Sequence, residues 1–97
     1  MELIPTKAYH ITVDGGIKEI APKNGSDFSL EEAQSHVDGY IEVVRLTDEQ
    51  IMIVNEDGKF NKSYNPIASG IADLHNAIAK GDYISGDVVI CPTDMLR

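Results

Sequence analysis

The chain has no tryptophan, two phenylalanines and four tyrosines in 97 residues, so its core must be built mainly from isoleucine, valine, leucine and alanine. It has a single cysteine, Cys91, which excludes an internal disulfide and fits a reducing compartment. Basic residues are scarce: eight Lys and Arg stand against sixteen Asp and Glu, a formal charge of −8. Phosphate binding draws its affinity from Lys and Arg releasing counterions, so direct binding to nucleic acid or to an anionic membrane is disfavoured. No apolar run reaches the roughly 18–20 residues of a membrane span. The first ten residues lack the basic segment and apolar stretch of a signal peptide. The expected location is the cytoplasm. Also missing are metal-ligand spacing, a phosphate loop and a nucleophile with a nearby base. No catalytic residue, metal or cofactor is assigned, and an enzyme is not expected.

What remains is ordinary for one globular domain spanning residues 1–97, with 42% hydrophobic and 25% charged residues. The core is expected within residues 7–91, with residues 92–97 a loose tail. Tyr9, Ile11 and Val13 alternate as in a half-buried strand. Asp14-Gly15-Gly16 supplies a tight turn into a second strand from Ile17 to Ala21. Ser29-Leu30-Glu31-Glu32 is a capping box, with Phe28 placed to pack on Ala33. A short helix follows, with Leu30, Ala33 and Val37 on its apolar stripe and Gly39 as its stop.

Tyr40–Leu46 and Ile51–Asn55 read as a hairpin. Ile51-Met52-Ile53-Val54 is apolar on both faces, as an interior strand covered on both sides would be. Lys59-Phe60 adds either a short strand or a loop. Asn65-Pro66 opens a second helix, with Ile67, Ile71, Leu74 and Ile78 facing the core and Lys80-Gly81 at its end. Asp87–Cys91 is a last apolar strand stopped by Pro92. The order is β-β-α-β-β-α-β, an α+β domain with a mostly antiparallel sheet of about five strands and two helices.

Four segments resemble a known family. Gly39-Tyr40-Ile41-Glu42-Val43-Val44, Val54-Asn55-Glu56-Asp57-Gly58-Lys59 with Asn65-Pro66-Ile67-Ala68, and Ile84-Ser85-Gly86-Asp87-Val88-Val89 are similar to domain of unknown function 3846. Its members are small phage, plasmid and conjugative-element proteins. Phe60-Asn61-Lys62-Ser63-Tyr64 departs from the pattern, where a leucine and a proline are expected. The resemblance implies a mobile-element or gut-bacterial context and carries no catalytic residue with it.

Individual side chains read mostly as structure. Asn55, Glu56, Asp57 and Asn65 lack the alternating ligands of a calcium loop and fit turn and capping roles. His10, His36 and His75 have no metal-type spacing and are expected at the surface. Cys91 reads as a small core residue. Tyr40, Tyr64 and Tyr83 lie near segment ends and would make interface anchors if they met on one surface. Two functional classes follow. The first is a non-catalytic phage or mobile-element accessory protein that binds another macromolecule, such as a host defence or nucleic-acid-processing protein. The second is a nucleotide- or metabolite-sequestering protein using Arg45, Asn55, Lys59 and Asn65. The expected surface for a ligand or partner is Tyr40, Arg45, Asn55, Lys59, Tyr64 and Asn65. The partner is expected to be a protein, and a homo-oligomer is compatible with an open sheet edge.

Overall fold

The computed structural model describes residues 3–97. The alternating N-terminal segment forms strand β1 (Ala8–Ile11), which turns through Gly15, at a φ of 94°, into β2 (Ile17–Ile20). Helix α1 (Leu30–Val37) starts at the capping box: the Glu32 amide donates to Ser29 Oγ at 3.2 Å and the Ser29 amide to Glu32 Oε1 at 3.4 Å. Strands β3 (Ile41–Arg45) and β4 (Gln50–Asn55) make the central hairpin. A four-residue helix α2 (Gly58–Asn61) occupies the stretch where a strand or loop was expected. Helix α3 (Pro66–Leu74) and strand β5 (Val88–Pro92) complete the order, followed by a 3-10 turn at Thr93–Met95.

The five strands form one antiparallel sheet in the order β2-β1-β5-β4-β3, so the last strand of the chain lies at the centre. Strand residues alternate in direction, and each face of this sheet is covered. Ile51, Ile53, Val89 and Cys91 pack under α1 with Phe28, Ala33 and Val37. Met52, Val54, Val88 and Ile90 pack under α3 with Ala68 and Ala72. The two-faced apolar run of β4 is therefore an interior strand, as its composition requires. Burial pushes the Cys91 thiol up to about 12, so it stays protonated in the core.

Several local expectations are corrected. Helix α3 ends at Leu74, not at Lys80-Gly81. The Ala77 amide donates to Ala72 O at 2.8 Å and the Asn76 amide to Asp73 O at 3.0 Å, with Asn76 left-handed at a φ of 54°. These paired bonds are a Schellman closure in which asparagine takes the place usually given to glycine. The buried stripe is Ala68 and Ala72 with Ile67 and Ile71 at its flanks, while Leu74 is 79% exposed. Leu30 is likewise exposed, so the α1 stripe is Ala33 and Val37. Asp38, not Gly39, makes the first left-handed step after α1, at a φ of 58°.

The last residues are not loose. Phe28 bridges to Leu96, the Arg97 amide donates to Phe28 O at 3.0 Å, and the Arg97 guanidinium pairs with Asp27 at 2.9 Å.

Gly70 lies inside α3, exposed, with nothing within 4 Å of where a Cβ would stand. Alanine has the better helix propensity and loses less backbone entropy on folding. Gly70→Ala is expected to raise stability by about 0.5–1 kcal/mol in urea denaturation.

His10 and His36 are half-buried against each other, contrary to the expected surface placement. Their ring centroids are 5.3 Å apart, and His10 Nε2 lies 3.0 Å from His36 O. Phe28 packs edge-on to His36 at 5.9 Å. Desolvation first, and then the neighbouring His10, hold the His36 pKa below its usual value. The unfolded chain then binds a proton that the native state refuses. Stability is expected to fall as pH drops below about 6.5. His36→Phe should flatten that part of the curve, as followed by melting temperature between neutral pH and the carboxylate range.

Candidate functional site

Family-pattern residues converge at one end of the sheet, where β4 ends, α3 begins and the Ile84–Asp87 segment enters β5. Asn55 closes β4 and is buried. Its Nδ2 donates to Val37 O at 3.0 Å and Asp38 O at 3.1 Å, and its Oδ1 accepts from the Asp57 amide at 2.8 Å. It thus ties the C-terminus of α1 to the turn before α2. Asn65 is fully buried as the N-cap of α3. Its Oδ1 accepts from the Ala68 amide at 3.0 Å, and its Nδ2 donates to Ile11 O at 3.1 Å and Gly86 O at 2.9 Å. Ser69 Oγ accepts from the Ile84 amide at 2.8 Å and lies 3.2 Å from Ile84 O. Among the described residues no buried polar side-chain atom lacks a partner.

The glycines of this pattern are set by close approach. A Cβ on Gly39 would stand 2.6 Å from Asn55 Nδ2, and one on Gly58 would stand 2.5 Å from Ser85 O. Gly86 adopts a φ of 88°, which admits the turn into β5 at no steric cost.

The profile of the family described as Domain of unknown function (DUF3846) matches residues 6–95. The chain belongs to the DUF3846 family. Neither the curated proteins nor the solved structures hold a match. In this DUF3846 chain the matching asparagines and glycines spend their hydrogen-bonding and steric capacity on joining elements.

Above this knot lies a groove of about 550 Å³ between the β3 edge, α2 and the 77–85 loop. It contains Arg45, Lys59 and the buried flank of Asn55 from the expected surface, together with Glu42, Val44, Glu56, Phe60, Ile78, Asp82 and Tyr83. Tyr64, exposed, packs edge-on to Tyr83 at 6.0 Å. Tyr40 is exposed just before β3 and Asn65 is fully buried, and neither lines the groove.

Lys59 sits 5.1 Å above the Tyr83 ring and pairs with Asp82. That hydrogen bond raises the Lys59 pKa and lowers that of Asp82, so both stay charged at neutral pH. Lys62 pairs with Asp38 at 2.5 Å nearby. Arg45 has no carboxylate partner among the described residues.

Phe60 is the groove residue that pattern reading passed over. It is 89% exposed at the lip, a large apolar ring in water. Its signal was present: a lone phenylalanine within the polar run from Asn55 to Ser63 has no apolar neighbour to form a core face with. A second groove of about 610 Å³ lies at the other end of the sheet, lined by Pro5, Thr6, Pro92 and Met95 with Asp48, Glu49 and Asp94. Among the described residues no helix is long and apolar enough to cross a membrane.

Proposed function

We propose that this DUF3846 chain is a non-catalytic accessory module of a phage or mobile element that works by binding another protein through the groove beside β3. The exposure of Phe60 at the groove lip, beside the Tyr64–Tyr83 pair, carries the reading. Aromatic side chains offer large contact area at low entropic cost, and they concentrate where proteins dock. A protein is favoured over nucleic acid because the net charge is −8. A host defence or nucleic-acid-processing protein fits the mobile-element context.

The test is photo-crosslinking in cells with a photoreactive residue at Tyr64, in the parent chain and in Phe60→Ala. Phe60 contributes little to the core, so Phe60→Ala should change folding stability by less than about 0.5 kcal/mol. It should nonetheless lose the crosslinked species. A crosslink of undiminished yield in Phe60→Ala would remove the groove from the reading.

The groove volume also lies within the range of small-molecule sites, with Arg45 as its unpaired cation. A sequestered metabolite is therefore the second reading. It requires a bound mass in native mass spectrometry and a ligand-dependent rise in melting temperature.

A further inference from the structure

We propose that β3 is an acceptor strand. An extended segment of the partner, alternating apolar and basic residues, adds antiparallel to its open edge. This deepens the docking reading above and rests on it.

The ladder fixes which backbone groups are free. The Glu56 amide donates to Tyr40 O at 2.9 Å and the Leu46 amide to Gln50 O at 3.0 Å. In the register that pairs Glu42 with Val54 and Val44 with Met52, the even-numbered residues of β3 therefore bond to β4. The N–H and C=O groups of Ile41, Val43 and Arg45 point away from the sheet. Among the described residues no backbone partner meets them. The other edge, β2, is shorter, with four residues against five, and both edges carry two charged residues. Short edges discourage strand addition. β3 is the longer edge, and Val43 at its middle is 45% exposed.

The same alternation sets the chemistry of the occupant. Val44 packs on the α3 side of the sheet and Ile41 on the α1 side, so alternation sets Glu42 with Val44, and Val43 and Arg45 with Ile41; at this open edge Val43 and Arg45 also border the groove. Directly opposed side chains on neighbouring strands lie about 4.5–5.5 Å apart. A basic residue of an added strand would thus lie opposite Glu42, with the −8 charge of the chain favouring it further, and its apolar residues would cover Val43 and Ile41. Asp82 already neutralises Lys59, which leaves two groove carboxylates against Arg45 alone. A second copy of this chain fits poorly: each carries −8, and pairing centred on Val43 would set Glu42 opposite Val44.

The geometry also dictates which amides of the segment must stay free. In an antiparallel addition, the residues opposite Ile41 and Val43 exchange both hydrogen bonds with them, so the apolar positions donate. The probe is a short synthetic peptide alternating valine with lysine, measured by titration calorimetry against the full chain. N-methylation of its valines should abolish binding, and N-methylation of its lysines should leave affinity within about threefold. Val43→Pro removes one outward N–H, a position where edge strands tolerate proline. It should keep the native circular dichroism and weaken the peptide at least about tenfold.

Absence of binding by the parent peptide overturns strand addition. So does equal binding by both methylated forms, which would mean charge attraction alone, or loss on lysine methylation. A concentration-dependent dimer that Val43→Pro dissolves would assign the edge to a second copy and overturn the proposal. Should the peptide fail while the Phe60-dependent crosslink persists, the groove still docks a protein, by another mode.

Discussion

Asn65→Asp is expected to cost about 3–5 kcal/mol at neutral pH, a large share of a domain stability of about 5–15 kcal/mol. The substitution changes one nitrogen to oxygen and keeps the shape. The remaining Oδ1 still caps α3 through the Ala68 amide. The lost amide is the difficulty: Nδ2 donates to Ile11 O and Gly86 O, and a carboxylate there sets oxygen against two carbonyls in a fully buried position. Neither carbonyl can turn to water, so the aspartate must bury a charge or take up a proton. Its native-state pKa would rise above the unfolded value. The deficit should therefore shrink as pH falls toward the carboxylate range, when the acid can donate one of the two bonds. Asn65→Ala loses the cap and both donations without adding a charge, and should cost about 2–4 kcal/mol at any pH. Urea denaturation of both variants at two pH values separates these effects.

The second large effect is Gly58→Ala, expected to cost about 2–4 kcal/mol. A Cβ there would stand 2.5 Å from Ser85 O and 3.3 Å from its carbonyl carbon. Both are backbone atoms, in a segment held by the Tyr64–Ser85 bridge and by the Gly86 amide donating to Ser63 O at 2.8 Å. No rotamer can relieve the contact; either α2 or the entry to β5 must move. Gly70→Ala is the control, since it makes the same chemical change inside a helix with open space around it and an expected gain. Opposite signs for the two alanines, measured in one denaturation series, would show that contact geometry and not propensity decides the outcome at Gly58.

Local signals transmitted well from residues to structure. The Ser29–Glu32 box, the Asn65-Pro66 start and the two-faced β4 run each work within a few residues, where physical preference and final conformation coincide. The end of α3 was misplaced for an identifiable reason. Ala77 and Ile78 pack on the same core as the helix after the chain has left it, so apolar spacing continued past the Asn76 turn. His10 was placed outside because β1 alternates, yet α1 covers that face too. The docking of Leu96 and Arg97 on Phe28 and Asp27 joins residues as far as 70 positions apart, and no window of sequence contains it.

At the site, Arg45 and Lys59 were found as groove residues. Asn55 and Asn65 drew notice for their polarity at segment ends, but their hydrogen bonds are all internal. The expectation of a usable amide failed because capping and turn-making absorb the same atoms a ligand would need.

The central place of β5 bears on how the chain comes into being. Ribosomes release the two hairpins first, β1 with β2 and later β3 with β4, and neither touches the other within the sheet. Until Val88–Pro92 emerges, each hairpin has two open sides, and the halves of both helical layers lack the strand they rest on. Synthesis from the N-terminus thus leaves the five-stranded sheet incomplete until its central strand has been made. A nascent chain stalled short of Val88 would be a pair of loose ribbons, open to chaperones and proteases, however complete its helices.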